Sequence, residues 1–377
     1  MVQVIVIGAG FAGLSTAYHL ARKNVKNILV IEQEKQLGGH ASGRNAGMIR
    51  QAVADPVLVR LAKEGRDSLR EAAKKDWAGL DFKSNGSFLL AKEEKGLAEL
   101  KDIKRATSRN RVKTFILPKE SVERRVSILK GADFTRALFC PADAWVDIEA
   151  LMKGFLKALR KYRVPVLCGH RIERIEKNKK GFKIRAGGNI FYSEKIVNAA
   201  GAWAGPIGAL AKAARIPFRA YRRHLFLSAP FSARAHEWPF VWDLSHHLYF
   251  RPKGNRLLLS PCDRDFFKLN DQKKEKAAEG TDARMKTRVL RKLRHFSPHF
   301  DNLKIETGLA GLRTMVPDGR FVVGEDPEVK GFFWVAGLGG HGVTTSFSVG
   351  RLAADLILGK KTENYITRAL SPKRFCV

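Results

Sequence analysis

The chain has few cysteines, few acidic residues and no long apolar run. Its cysteines form no CxxC pair, which argues against a zinc site and a disulfide scaffold; they are Cys140, Cys168, Cys262 and Cys376. No apolar run reaches the roughly 18 residues that a membrane-spanning helix needs. We see no basic leader or small-residue cleavage site before the first predicted strand. We therefore expect a cytoplasmic protein with no bound metal.

The shortage of acidic residues leaves a strongly basic chain. Among 377 residues, 69 Lys and Arg outnumber 37 Asp and Glu, which gives a formal net charge of +32. This charge fits a nucleic acid or an anionic membrane surface as a partner. However, the basic residues are spread over the whole length, and the densest stretch, Asp271 to Phe296, predicts a helix with a basic outer face. This distribution favours a solvated surface, with peripheral contact to an anionic inner membrane face as the alternative.

The first residues carry a dinucleotide-binding motif. Gly8, Gly10 and Gly13 form a G-x-G-x-x-G turn between an apolar strand and a helix, where a diphosphate can reach the backbone amides at the positive helix end. Glu32 ends the next predicted strand, 19 residues after Gly13. An acid at this position accepts ribose hydroxyls and disfavours the 2′-phosphate of NADP. The motif therefore indicates NAD or FAD.

Three further loops of small residues favour FAD over NAD. One follows Glu32 as "QEKQLGGHASGRNAG", and the others are "IVNAAGAWA" (196–204) and "GLGGHG" (337–342). Such loops expose backbone groups, and here they come from all parts of the chain. They suit a long and enclosed ligand, whereas NAD sites use mainly the first loop.

The sequence resembles, over nearly its entire length, the FAD-dependent amino-acid oxidoreductases of the D-amino-acid oxidase superfamily. Within that superfamily it is most similar to bacterial D-amino-acid dehydrogenases of the D-arginine dehydrogenase type. The resemblance rests on "GAGFAGLSTAY", "GRNAG", "VNAAGAWA", "YRRHLFL", "LYFRPKGNRLLLSP", "AGLRTMVPDG", "GFFWVAGLGGHGVTTS" and "LSPKRF". It implies FAD as a resident cofactor. The binding is expected to be noncovalent, because the family's attachment cysteine falls near Gly311 to Met315, which contain no cysteine.

The resemblance also implies which residues contact the cofactor. Ser42, Gly43 and Arg44, followed by Gly47, line the diphosphate and the flavin. Ile172 offers backbone atoms to the adenine, and Ala200 and Gly201 flank the cofactor. The flavin pyrimidine is covered by Gly339, Gly340, His341, Gly342, Val343 and Thr344. A helix that starts near Val343 would direct its positive end at the N1–C2=O region of the flavin.

The alternation of segment types along the chain predicts a mixed α/β (α+β) fold with two interleaved domains. A β-α-β unit opens the chain, and a strand, a glycine loop and a helix close it. Between them, Asp147 is expected to cap the helix "IEALMKGFLKALRKY". We predict a Rossmann-like FAD-binding domain formed by residues 1–80, 145–218 and 307–377. A β-rich substrate domain would contain residues 81–144 and 219–306.

By the same resemblance, two arginines and a tyrosine bind the substrate. Arg313 would hold the substrate carboxylate in a bidentate contact, with Tyr249 as its hydroxyl partner. Arg223 is the second arginine near the substrate. Strand alternation places the neighbouring Arg222 on the opposite face, so only one of the pair can point inward.

Four positions depart from the enzymes that act on basic amino acids. Met48, Arg50 and Val53 stand where those enzymes have a histidine, a threonine and a tyrosine that close over the substrate. Ser87 stands where they have the acid that selects a cationic side chain. Because Arg50 would repel such a side chain, we expect a neutral or acidic amino acid as the substrate.

The predicted reaction is oxidation of the C–N bond of a D-amino acid by hydride transfer to flavin N5. The product imine would hydrolyse to a 2-oxo acid and ammonia, and oxygen or a quinone would accept the electrons. We expect a monomer.

Two other functions remain open. A 2-hydroxy acid dehydrogenase would use the same carboxylate clamp, and one branch of the superfamily modifies tRNA, for which a charge of +32 is suitable. The sequence shows no basic stripe with exposed aromatic residues, so we expect no specific nucleic-acid partner.

Overall fold

The structure is a computed structural model that describes residues 1–75, 77, 79–232, 235–269 and 280–376. The helices found there are α1 (Phe11–Arg22), α2 (Pro56–Lys75), α3 (Glu94–Arg109), α4 (Lys119–Arg125), α5 (Ile148–Lys161), α6 (Ala204–Leu210), α7 (Ala283–Phe296), α8 (Ser346–Ile357) and α9 (Asn364–Leu370). Residues 271–279 of the predicted basic helix lie outside the described residues, and the remainder includes α7.

The strands lie in three sheets. They are β1 (Val2–Ile7), β2 (Ile28–Ile31), β3 (Met48–Ile49), β4 (Phe82–Lys83), β5 (Ser87–Ala91), β6 (Phe115–Pro118), β7 (Arg136–Cys140), β8 (Ala144–Val146), β9 (Val166–Leu167), β10 (Ile172–Asn178), β11 (Gly181–Ala186), β12 (Asn189–Asn198), β13 (Arg219–Ser228), β14 (Phe240–Asp243), β15 (Leu248–Lys253), β16 (Arg256–Ser260), β17 (Asp265–Phe267), β18 (Ile305–Met315), β19 (Val322–Glu325) and β20 (Phe332–Ala336). Within the described ranges, no helix is long and apolar enough to span a membrane.

The first sheet has eight strands and a parallel centre. Its path runs β10-β11-β12-β1-β2-β9, with β20 beside β12 and β19 beside β20. Alternate residues of β1 enter two different cores: Val4 and Val6 pack with α1 and α5, whereas Ile5 and Ile7 pack with α6. Burial on both faces is typical of a parallel sheet and explains the unbroken apolar run at the start of the chain. The predicted β-α-β unit is confirmed.

The second sheet has nine strands in the order β17-β13-β16-β15-β14-β5-β7-β6, with β18 paired to β13. One face packs on α7 through residues such as Phe250 and Leu259, and the opposite face presents Tyr249 and Leu225. The small third sheet joins β3, β8 and β4. The mixed α/β fold class is therefore confirmed. Because it pairs with β13, β18 belongs to the second sheet. The predicted boundary at residue 307 had assigned most of this strand to the FAD-binding domain. The division into domains remains a prediction.

Two predicted helix starts had different outcomes. Asp147 was expected to begin a helix, and its carboxylate accepts a hydrogen bond from the backbone N–H of Ala150 at 2.7 Å, at the start of α5. The helix expected near Val343 begins later, at Ser346. Before it, the His341 carbonyl accepts hydrogen bonds from the backbone and the hydroxyl of Thr345, which hold this segment in turns.

His19 is a buried histidine whose ionisation should set part of the pH dependence of stability. It is 6% exposed in α1, and burial, followed by the charge of Arg351, lowers its pKa from 6.5 to about 3. The unfolded chain therefore binds a proton below pH 6.5 that the folded protein does not. Stability is lost as the pH falls through this range, by about 2 kcal/mol at pH 5 from this group alone.

We expect His19→Phe to weaken the loss of unfolding free energy between pH 7 and pH 5 by about 2 kcal/mol. The free energy of unfolding is measured by denaturant titration of the FAD-loaded protein at both pH values. His299→Asn removes an exposed histidine and should leave the pH dependence unchanged. Equal pH dependence in the wild type and His19→Phe would show that His19 protonates freely in the folded state.

Candidate active site

The glycine turn forms a tight cradle between the first strand and α1. Gly8 has φ +102°, and a Cβ there would lie 2.5 Å from the carbonyl oxygen of Ala199. A Cβ on Gly13 would lie 1.9 Å from the carbonyl oxygen of Gly8. These two positions need glycine for backbone packing. Gly10 differs, because its Cβ would meet only the hydroxyl group of Ser42, with the oxygen at 2.9 Å. Gly10 therefore leaves open the space that a diphosphate would fill.

Glu32 is held at the end of β2 by backbone groups. Its carboxylate accepts a hydrogen bond from Ala9 N–H at 2.8 Å and from Glu34 N–H at 3.0 Å. The first of these contacts ties the acid directly to the glycine turn. The glycine turn and the Glu32 carboxylate are thus adjacent, which is the arrangement that a bound dinucleotide requires.

A cavity of about 330 Å³ follows the cradle and gathers loops from distant parts of the chain. The predicted residues that line it are Gly8, Gly10, Glu32, Ser42, Ile172, Ala200, Gly201, Gly339, Gly342 and Val343. A cleft lined by so many glycine and alanine residues fits a long, thin ligand such as FAD. The individual contacts of these residues with the cofactor remain predictions.

The other predicted cofactor residues do not line this cavity; they shape its surroundings. A Cβ on Gly43 would lie 2.1 Å from the Gly38 carbonyl oxygen, and one on Gly47 would lie 2.4 Å from that of Val146. The Arg44 guanidinium donates to the carbonyl oxygens of Gly39 and Ala310. The remaining members of this group are Gly13, Gly340, His341 and Thr344.

The sequence analysis missed several side chains that line the cavity. Trp203 and His40 both do so, and their ring centroids are 4.5 Å apart. Arg171, next to Ile172, also lines it. Trp203 stands in the small-residue loop that indicated FAD, so the loop was identified but its one large aromatic side chain was not.

The register between β13 and β18 places Arg223 and Arg313 on one face of the second sheet. Arg223 is opposite Gly311, and Arg313 is opposite Tyr221, so the two arginines are diagonal neighbours. A Cβ on Gly340 would lie 3.0 Å from Nη1 of Arg313, which places this guanidinium against the glycine loop. Burial, followed by the nearby charge of Arg223, lowers the pKa of Arg313 to about 10.

Several polar atoms at this face have no hydrogen-bond partner among the described residues. They are the hydroxyl of Tyr249, which is fully buried, and Nε and Nη1 of Arg223. Arg223 reaches Asp263 only at 4.0 Å. Buried donors normally find a partner in the folded protein or in a ligand, so this face has the properties of a binding surface for an anion.

Arg50 and Met48 approach the same region from β3 and the segment after it. The Arg50 guanidinium lies over the Trp242 ring, 4.1 Å from the ring centroid. Met48 packs with a cluster that contains Tyr249 and Trp242. The backbone N–H of Arg50 donates to Oγ1 of Thr344 at 3.1 Å, which ties β3 to the glycine loop. The predicted substrate residues Arg313, Tyr249, Arg223, Arg50 and Met48 therefore lie around one region.

Ser87 is hydrogen-bonded to a buried acid. Its hydroxyl donates to Asp143 at 2.7 Å, and both residues are fully buried. Asp143 also accepts hydrogen bonds from the backbone and the side chain of Gln51. Asp143 lies between β7 and β8, so this acid comes from a different part of the chain than Ser87. Burial raises the pKa of Asp143, which weakens it as a negative charge.

The imidazole of His341 is affected by the positive charges of Arg50 and Arg313. Burial lowers its pKa to about 3, and the charges of Arg50 and Arg313 act in the same direction. With Arg50 and Val53, His341 also lines a second cavity of about 240 Å³. A group with so low a pKa is a weak base at neutral pH, so the imidazole is neutral there.

The glycine cradle, the acid at Glu32 and the long cavity define a dinucleotide-binding protein of the Rossmann type. The family described as FAD dependent oxidoreductase (DAO) matches residues 3–356. The chain belongs to this family, and FAD is its cofactor.

Relatives with similar sequences share the whole length of this chain at low identity. Glycine oxidase from Bacillus subtilis (strain 168) is 24% identical, and the alignment covers 95% of this chain and 94% of that protein. The 4-methylaminobutanoate oxidase (formaldehyde-forming) of Paenarthrobacter nicotinovorans is 22% identical over 99% of this chain. This chain spans only 46% of that relative's length.

A solved structure shows the same fold. L-proline dehydrogenase from P. horikoshii superposes with a TM-score of 0.89 at 22% identity, and the match covers 99% of this chain and 97% of the other. The fold of an FAD dependent oxidoreductase is thus confirmed. The narrower likeness to D-arginine dehydrogenases is not confirmed by these comparisons.

We expect Gly10→Val to abolish FAD binding, because the added side chain would fill the cradle beside Ser42. The ratio of visible flavin absorbance to protein in the purified variant measures this loss. Gly205→Val is the matched control, because a Cβ there would meet only Phe218, at 4.0 Å. A normal flavin content in Gly10→Val would show that the diphosphate lies elsewhere.

Proposed function

We propose that this protein oxidises the C–N bond of a neutral or acidic D-amino acid. The observation that carries the proposal is the Arg313 guanidinium beside Gly340, which has no ion-pair partner among the described residues. The Tyr249 hydroxyl on the same sheet face likewise has no hydrogen-bond partner there. A substrate carboxylate held by these two groups would have its α-carbon directed toward the glycine loop. Positioning of this kind is the main contribution the chain has to make.

The reaction needs little acid–base chemistry from the protein. Bound FAD supplies a two-electron acceptor at N5 of its ring system. The amino acid loses two electrons and two protons, and water hydrolyses the resulting imine to a 2-oxo acid and ammonia. The amine must enter as the neutral form, and the nearby positive charges of Arg223 and Arg313 favour that form by opposing its protonation. Oxygen or a quinone then accepts the electrons.

The relatives support the class of substrate more than its stereochemistry. Their names refer to glycine, L-proline and 4-methylaminobutanoate, all of which carry a carboxylate and an amine. The D-configuration comes from the resemblance of motifs such as "AGLRTMVPDG". Anaerobic loss of flavin colour with D- and L-amino acids, glycine and N-methylglycine tests both points. The panel includes 2-hydroxy acids, because a carboxylate clamp would hold them too; loss of colour with these alone would refute the proposal.

We expect Arg313→Leu to lower kcat/KM by about 2–3 kcal/mol, or roughly 30- to 160-fold, because the substrate carboxylate loses its charged partner. Tyr249→Phe should show a smaller loss of the same kind. The flavin spectrum of both variants should resemble that of the wild type. Arg222→Leu is the control, because the Arg222 guanidinium contacts the carbonyl oxygen of Gly280 at the other side of the strand. Near-normal turnover in Arg313→Leu would refute the carboxylate clamp.

The flavin should be released when the protein is precipitated with acid. Cys262 lies close to Arg223 and Arg313, but burial raises the pKa of its thiol, which therefore stays protonated and a poor nucleophile. Flavin absorbance in the supernatant after precipitation measures the release. Flavin that remains with the pellet would demonstrate a covalent bond and contradict the noncovalent assignment.

A further inference from the structure

We propose that the substrate carries a second carboxylate, and that Arg50 binds it while Arg313 holds the first. The natural substrate would then be an amino or imino dicarboxylic acid. This inference rests on the proposed function and narrows it to one class of substrate.

The first observation is an excess of positive charge around one region. Arg50, Arg223 and Arg313 are close enough to affect one another or their shared neighbours electrostatically. Among the described residues, no carboxylate lies within ion-pair distance of Arg50 or Arg313. Asp263, which is 4.0 Å from Arg223, is already bound to the ring of His224 at 2.7 Å. A substrate with one carboxylate would leave Arg50 or Arg313 without an ion-pair partner among the described residues.

The second observation is that the acids whose charges act on Arg50 form no ion pair with it among the described residues; they include Asp143 and also Glu99, which lines a cavity together with Arg50. Asp143 accepts hydrogen bonds from Ser87 and Gln51, and it makes no ion pair with the Arg50 guanidinium among the described contacts. Burial favours the uncharged form of both groups: it lowers the pKa of Arg50 and raises the pKa of Asp143. Even a half-buried guanidinium without an ion-pair partner is costly, and an anionic ligand would reduce that cost.

The third observation is the orientation of Arg50. Its guanidinium lies over Trp242, 4.1 Å from the ring centroid. Stacking fixes the plane of the group and leaves its N–H groups at the edge available to a carboxylate. The backbone N–H of Arg50 donates to the hydroxyl of Thr344, and the guanidinium of Arg313 lies against Gly340. The two arginines therefore flank one short loop, which suits two carboxylates separated by a few bonds.

The basic surface agrees with such a substrate. The net charge of +32 creates a positive field around the protein, and a field of this sign concentrates anions near the site and speeds their association. With its amine protonated, a dicarboxylic amino acid in solution has a net charge of −1 and responds to this field, whereas an amino acid with one carboxylate has no net charge. This gives the spread of Lys and Arg over the surface a role that requires no nucleic acid.

Binding of anions that cannot be oxidised tests the inference without turnover. The probes are malonate, succinate and glutarate, each compared with its monomethyl ester, and binding is followed by the change in flavin absorbance of the FAD-loaded protein. We expect the best dicarboxylate to bind at least about tenfold more tightly than its ester in the wild type. Equal dissociation constants for each acid and its ester would overturn the inference.

Variants of Arg50 then assign the preference to this residue. Arg50→Met should bring the ratio of the two dissociation constants close to one, whereas Arg50→Lys should keep part of it because the charge remains. Arg174→Leu removes an exposed arginine and should leave the ratio unchanged. A ratio that is the same in Arg50→Met and the wild type would overturn the inference.

Flavin reduction separates this inference from the proposed function. Aspartate and glutamate of both configurations, and iminodiacetate, are compared with asparagine, glutamine and N-methylglycine under anaerobic conditions. Faster reduction by the dicarboxylic members supports the inference. Reduction by the uncharged analogues alone overturns it but leaves the proposed function standing. A dicarboxylate preference in binding with no reduction by any amine would overturn the proposed function and leave the second carboxylate site in place.

Discussion

The paired strands β13 and β18 fix the substrate face relative to the cofactor cavity. Their antiparallel register sets Arg223 opposite Gly311 and so brings Arg313 onto the same face. One residue beyond Arg313, the carbonyl oxygen of Thr314 accepts a hydrogen bond from Gly339 N–H at 2.9 Å. Thus the strand that carries Arg313, the proposed carboxylate-binding arginine, is tied directly to the loop that follows β20 in the other sheet. A shift of one residue in this register would turn Arg313 away from the site.

That geometry places cations where they are poorly solvated. Arg313 has a pKa of about 10 because of burial and its charged neighbours, and burial also lowers the pKa of Arg50. A protein optimised for stability alone would pair such groups with acids or replace them by apolar residues. Among the described residues neither guanidinium has an ion-pair partner, which agrees with the proposal that a ligand supplies the counter-charges. A cost in stability of this kind is common at functional sites.

The other side chains of the site are uncharged, in contrast to the arginines. The Tyr249 side chain is fully buried, and those of His341 and Cys262 are half-buried. Desolvation lowers the pKa of His341 and raises that of Cys262, which keeps both uncharged at neutral pH. They can form hydrogen bonds and line the site, but neither His341 nor Cys262 exchanges a proton readily at neutral pH. The chemistry at this site therefore depends on orientation and on the cofactor, which is consistent with a family defined by FAD.

The sequence alone determined the features that depend on neighbouring residues. The apolar run of β1, the glycine turn, Glu32 and the cap at Asp147 follow from spacing over a few residues, and the structure contains each of them. Strand alternation likewise separated Arg223 from Arg222. The family's motifs added the positions of the arginines, which spacing could not supply.

Only the tertiary structure decided which distant side chains meet. Asp143 lies 56 residues from Ser87 and 92 residues from Gln51, and nothing in the sequence around it indicates that they share a buried network. The stacking of Arg50 on Trp242 and the late start of α8 were equally hidden. Hydrogen bonds and side-chain periodicity within one element are encoded locally, and so the sequence reveals them. Contacts between elements depend on sheet register and on the packing of the whole chain, which no short stretch of sequence contains.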